Sequence, residues 1–157
     1  MVKTIDRKNK QNPPILLALY AAGFALLHLL ALANDWYFFY KWLDIVMHLG
    51  GGIFVAWVFA HYRFLIPSLK AVPGWLLWIF GLGSVLLVGV LWEWWELLGE
   101  IVKLLRAGIP IEGLAEAFKL PPYNDRWDTL WDLINDTIGA VIVFTVTTLR
   151  LLLRKEE

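Results

Sequence analysis

The sequence predicts an all-α integral membrane protein, a four-helix bundle with one long amphipathic connection between its third and fourth spans. Three observations carry that prediction. Of 157 residues, 59% are hydrophobic, and the mean hydropathy of +0.61 is that of a membrane protein rather than a soluble domain. Four apolar runs are each long enough to cross a hydrocarbon core of about 30 Å at about 1.5 Å per helical residue. The 10 tryptophans cluster near the ends of those runs, where aromatic side chains anchor the membrane interface. The length fits a single membrane domain. Lys plus Arg and Asp plus Glu balance at 14 each, so charge gives no reason to expect nucleic acid, and the expected partner is the lipid bilayer. With 0 Cys, a disulfide framework and thiolate metal sites are excluded.

Residues 1–14 are polar and basic, and Pro13-Pro14 suit a helix start, where a missing N–H costs little. The run 15–33 is apolar apart from Tyr20 and His28 and is expected to be the first span. Its basic lead and Ala31-Leu32-Ala33 imitate a secretory signal, but the run is long for one, and a retained helix is preferred. Residues 34–42 (NDWYFFYKW) are an aromatic cluster suited to one membrane interface. The second span, 43–62, carries Asp44, His48 and Gly50-Gly51-Gly52; these glycines lack phosphate-loop spacing and predict close helix contact. A short basic turn over 63–73 leads into the third span, 74–98, where Glu93, Glu96 and Glu100 share a helix face. The connection 99–127 holds an amphipathic piece, the breakers Gly108 and Pro110, a short helix expected over 111–118, and the turn Pro121-Pro122-Tyr123-Asn124. A connection of that length is expected to cover a functional site. The fourth span, 128–153, opens with Asp128, Asp132 and Asp136, one helical turn apart on one face.

In this topology Lys3, Arg7, Lys8, Lys10, Arg63, Lys70, Arg150, Arg154 and Lys155 fall on one side, against Lys41, Lys103, Arg106, Lys119 and Arg126 on the other. The positive-inside rule then predicts a multi-pass protein of the cell membrane with both termini cytoplasmic. Whichever way the chain inserts, the up-down path brings His28, Asp44, His48, Glu93, Glu96, Asp128, Asp132 and Asp136 to the same membrane face. Ionised together, the six carboxylates of that layer would hold roughly six negative charges, which low-dielectric surroundings do not tolerate without protons or cations. The apolar parts of the spans contain no Lys or Arg, and Arg126, Lys41 and Lys103 reach only from the rim.

Either some of these acids are protonated or divalent metal sits among them, and bound metal is the preferred expectation. Asp44-x-x-x-His48 sets a carboxylate and an imidazole one turn apart, Glu93-x-x-Glu96 pairs two more acids, and the fourth span adds the rest, the logic of carboxylate-bridged two-metal sites in helical bundles. The expected ligands are Asp44, His48, Glu93, Glu96, Asp128, Asp132 and Asp136, with His28 and Glu100 as weaker candidates and Arg126 as a clamp for an anionic group. Two ions are expected, and Zn, Mn, Mg and Ca all stay open. Glu93, Glu96 and Asp128 lie among Trp92, Trp94, Trp95, Trp127 and Trp131, where acids also occur simply because an interface is wet. Asp132, Asp136 and His48 lie deeper, where ionisable groups are functional by default. His28, alone on an apolar helix, reads first as a packing residue.

Asp44-x-x-x-His48-x-x-Gly51, the Glu93/Glu96 pair, and Trp127-Asp128-Thr129-x-x-Asp132 followed by Ile138-Gly139-Ala140 resemble the YjdF-like family of small bacterial and archaeal membrane proteins, and more distantly the VanZ-like family. The VanZ-like pattern has Asn where this chain has Asp136 and Gln where it has Glu96, and both departures favour YjdF-like. The resemblance covers roughly residues 44–140. It implies a polytopic membrane protein with acids gathered at one face, and it implies no activity.

Three classes of function stand at this point. Metal-dependent hydrolysis of a lipid-linked or phosphorylated substrate leads. A transporter or channel for protons or divalent cations is the second, weighed down by the apolar cytoplasmic half of every span, which offers no ionisable step across. The third is a lipid-binding or structural protein whose acids cap the bundle. An oligomer fits any of the three.

Overall fold

The computed structural model of the protein describes residues 13–62, 66, 72–117 and 126–153, without the side chains of residues 13, 115, 117 and 126. The basic tail, most of the 63–73 turn, the Pro121-Pro122-Tyr123-Asn124 turn and residues 154–157 lie outside the described residues. Among the described residues six helices follow in order: α1 (Pro13–Ala33), α2 (Trp36–Phe39), α3 (Trp42–Tyr62), α4 (Gly74–Arg106), α5 (Ile111–Ala117) and α6 (Arg126–Leu153). Of these, α1, α3, α4 and α6 are long and apolar enough to cross a membrane, which agrees with the four expected spans.

Two local features differ from the expectation. The third helix does not stop near residue 98; α4 runs for 33 residues to Arg106. At about 1.5 Å per residue that is roughly 50 Å, well beyond a hydrocarbon core of about 30 Å. Nothing in the amphipathic piece 101–106 breaks a helix, and Lys103 and Arg106 in the last turn suit its negative dipole end. The break comes at Gly108, whose φ of 87° is open to glycine and strained for other residues. The aromatic cluster is also more ordered than a linker: Asp35, at φ 54°, turns the chain into the one-turn helix α2.

The bundle has an inner trio and an outer member. Helices α3, α4 and α6 pack against one another, most extensively α3 on α6, whereas α1 lies against α3 and α2. The inner trio is held by Ala56, Ala60, Val85, Ala140 and Phe144, with Phe59, Trp78 and Leu82 around them. A second cluster of Ala31, Leu43 and Met47, with Phe24 and Leu27, fastens α1 to α3. Lipid chains are as apolar as leucine, so association here rests on close packing rather than on a hydrophobic drive. The α3–α6 seam shows how close: a Cβ at Gly52 would collide with the backbone of Asp136, and one at Gly139 would collide with the carbonyl of Leu49. That seam brings Asp136 against the helix face that carries His48.

Candidate metal centre

His48 is the hub of the site. It is 3% exposed, and carboxylates from all three inner helices surround its ring. Its Nε2 stands 3.9 Å from Asp44 Oδ1, 3.8 Å from Glu93 Oε1 and 3.7 Å from Asp132 Oδ1. On the other edge of the ring, Nδ1 meets Asp136 Oδ2 at 3.5 Å, the outer limit of a hydrogen bond. Helical spacing accounts for the convergence: Asp44 and His48 are one turn apart on α3, Glu93 and Glu96 share a face of α4, and Asp132 and Asp136 share the inner face of α6. The contact of Gly89 with the Asp136 carboxylate lets α4 close over that pair.

Among the described residues, two buried side-chain polar atoms have no hydrogen-bond partner, His48 Nε2 and Glu93 Oε1, and they face each other. Leaving a buried donor or acceptor unmade costs about 1–3 kcal/mol, more for a charged group. Asp44, Glu93, Glu96, Asp132 and Asp136 meet no Lys or Arg among the described residues; the one Lys or Arg ion pair there is Lys103 with Glu100. Several carboxylates thus crowd one imidazole, with no fixed cation among the described residues to offset Asp44, Glu93, Glu96, Asp132 and Asp136. Three overlapping triads bring donor atoms within 4.8 Å of one another: His48/Glu93/Asp132, Asp44/Asp128/Asp132 and Asp44/His48/Glu96. Donors each about 2.1 Å from a tetrahedral ion lie roughly 3.4 Å apart. The 3.7–3.9 Å spacing around Nε2 is slightly wider than that, and the donors of each triad lie within 4.8 Å of one another, so an ion would draw the side chains in.

Six of the seven expected ligands occur in these triads. Asp136 stands outside them, on the Nδ1 edge of His48. Asp128 is exposed yet reaches Asp44 and Asp132. Of the weaker candidates, His28 hydrogen-bonds the Tyr37 hydroxyl at 2.6 Å and sets its ring edge against Trp92, a packing role. Glu100 pairs with Lys103 on the exposed end of α4. Arg126 opens α6, and its side chain lies outside the described residues.

Three further residues belong to the site. Thr129 Oγ1 donates to Glu93 Oε2 at 2.8 Å, tying α6 to α4, and Trp92 Nε1 donates to Glu96 Oε1 at 2.8 Å. Thr129, Asp132 and Asp136 fall on one helical face by their spacing, a signal present in the sequence. Tyr37, on α2, is pushed up to about 12 by burial, with the negative charges of Asp44 and Glu96 adding to the effect. Its phenol therefore stays neutral beside the cluster.

Fold and cluster together define a small polytopic membrane protein that gathers carboxylates and one histidine at a single end of its helices. Within that class, the chain matches over residues 2–153 the family described as a predicted membrane protein (DUF2238), and it belongs to that family. No curated protein and no solved structure matches it.

Proposed function

We propose that the cluster binds divalent cations, two of them bridged by Asp132, and that the protein is a metal-dependent hydrolase of a lipid-linked or phosphorylated substrate at the outer membrane face. The observation that carries this reading is the unpartnered Nε2 of the buried His48, facing three carboxylates at 3.7–3.9 Å. The Asp136 carboxylate on Nδ1 favours a proton there and leaves the Nε2 lone pair for a metal, the arrangement by which outer carboxylates orient metal-bound histidines. Asp132 occurs in both the His48/Glu93 and the Asp44/Asp128 triads, which supports two ions sharing one carboxylate. Bound there, the ions would polarise a phosphoryl or carbonyl oxygen and activate water. Oxygen donors outnumber the single imidazole, a set that suits Mg and Mn as well as Zn. We further infer that the family is the YjdF-like one, whose motifs supply these donors.

A conducting path is disfavoured by what lies beneath the site. There Ala56, Ala60, Val85, Ala140 and Phe144 fill the space between the inner helices, and no ionisable group among the described residues continues the route.

The test is metal content. Protein stripped with chelator and reloaded should retain about two equivalents of Mn, Zn or Mg per chain, and metal at about 100 times its Kd should stabilise it by about 2.7 kcal/mol per occupied site. Asp132→Asn should lose both effects while remaining folded. Retention of no metal by the wild-type protein, with stability indifferent to all three ions, would end the proposal.

A further inference from the structure

On the side of His48 away from the Nε2 carboxylates, the structure contains a narrow, open-mouthed crevice of about 50 Å³. Its head is polar: His48 and Asp136 form part of the wall. The rest is almost entirely hydrocarbon, with Phe24 from α1, Met47 and Val55 from α3, and Val85, Val88 and Trp92 from α4. From Trp92 down to Val85 the crevice follows two turns of α4, roughly 10 Å at about 1.5 Å per residue. It runs away from the aromatic end of the bundle, toward the level of the apolar core. One wall is open, since Val88 is 43% exposed in a helix long and apolar enough to span the bilayer.

We infer that this crevice seats one hydrocarbon chain of a membrane lipid, entering sideways between α1 and α4, with the lipid's phosphate headgroup at the cluster. The inference rests on the proposed metal site for the headgroup and on the crevice alone for the chain. Water is a poor occupant, because an apolar cavity offers it no hydrogen-bond partners and stays dry. A lipid chain is the natural one, since the open wall faces lipid. Moving a chain from bilayer to crevice is a like-for-like transfer with little hydrophobic gain, so the crevice guides while the head selects. Phosphate beside so many carboxylates requires the cations of the proposed site, and lateral access delivers a bond near the headgroup to His48 without lifting the lipid into water. The outer placement of α1 suits this route, because α1 packs on α3 and meets α4 through the edge contact of His28 with Trp92.

The experiment uses the full chain in lipid nanodiscs with a phosphatidic acid whose acyl chain carries a photoreactive diazirine. Labelling should concentrate at Met47, Val55 and Val88, exceed by several-fold that at lipid-exposed Leu19 and Leu149, and rise on adding Mn. Val88→Trp, which fills the mouth, should remove the excess while the metal content stays as in wild type. Val55→Phe narrows the same crevice from the opposite wall and serves if the first variant does not fold. Labelling spread evenly over the helices and unmoved by either variant overturns the inference. Concentrated labelling in a protein that binds no metal supports the chain seat and overturns the metal reading, so the two fail separately.

Discussion

At the scale of single residues, the two deep aspartates of α6 meet different edges of His48 although they are one turn apart. Asp132 lies on the Nε2 side of His48 with Asp44 and Glu93, and Asp136 lies on the Nδ1 side alone. Asp136→Asn should therefore retain metal with affinity reduced about 10–100-fold, the effect of losing an outer partner of a ligand histidine. Metal titration followed by calorimetry reads the difference, and equal losses for Asp136→Asn and Asp132→Asn would show that both act as ligands. Tyr37 gives a pH prediction with a definite sign. Its folded-state value is raised from 10.0 to about 12, so its contribution to stability is fully present below pH 10 and is lost as pH rises toward about 12. Tyr37→Phe should flatten that alkaline fall in a stability profile; an unchanged profile would mean that the phenol titrates freely.

At the scale of helices, stability and site geometry share the α3–α6 seam. Gly52→Ala sets a methyl against the Asp136 backbone, and relief requires the helices to part, a cost of about 1–3 kcal/mol or more. Gly23→Ala on α1 meets nothing within 4 Å and should gain about 0.5–1 kcal/mol from helix propensity. Thermal unfolding in detergent compares the two, and Gly52→Ala should also weaken metal binding because the seam positions Asp136. The spans were legible in the sequence because a membrane helix needs a long apolar run, and the gathering of acids was legible because an up-down path sends alternate helix ends to one face. The rotation of each helix about its own axis was not legible. Asp128, Asp132 and Asp136 share a face on paper, yet the inner face of α6 carries Asp132 and Asp136 while Asp128 is exposed. Rotation is fixed by contacts such as Gly52 on Asp136 and Gly89 on its carboxylate, which link residues far apart in the chain. The outer position of α1 had a signal in the sequence, since it is the one span without a carboxylate, but which neighbour it packs on is fixed only by contacts.

At the scale of the whole molecule, sidedness decides which compartment would supply the proposed metal and substrate. The cluster, the exposed tryptophans Trp42, Trp94, Trp95, Trp127 and Trp131, and the ends of α3, α4 and α6 that carry them share one end of the bundle. By the positive-inside rule, the excess of Lys and Arg in the sequence predicts that the other end is cytoplasmic. The chain contains no cysteine, so single-cysteine reporters report without background. Glu112, exposed on α5, follows the C-terminal end of α4 on the cluster's side, and Lys8 lies in the basic N-terminal tail. In intact cells a membrane-impermeant maleimide should label Glu112→Cys and leave Lys8→Cys untouched until the membrane is opened. The reverse pattern would turn the cluster toward the cytoplasm and its lipid leaflet. It would leave every distance around His48 as it is, because the convergence of helix ends follows from the up-down path and not from its direction. A hydrolase facing outward draws its lipid from the outer leaflet, so the labelling pattern also fixes which leaflet a lipid entering between α1 and α4 must come from.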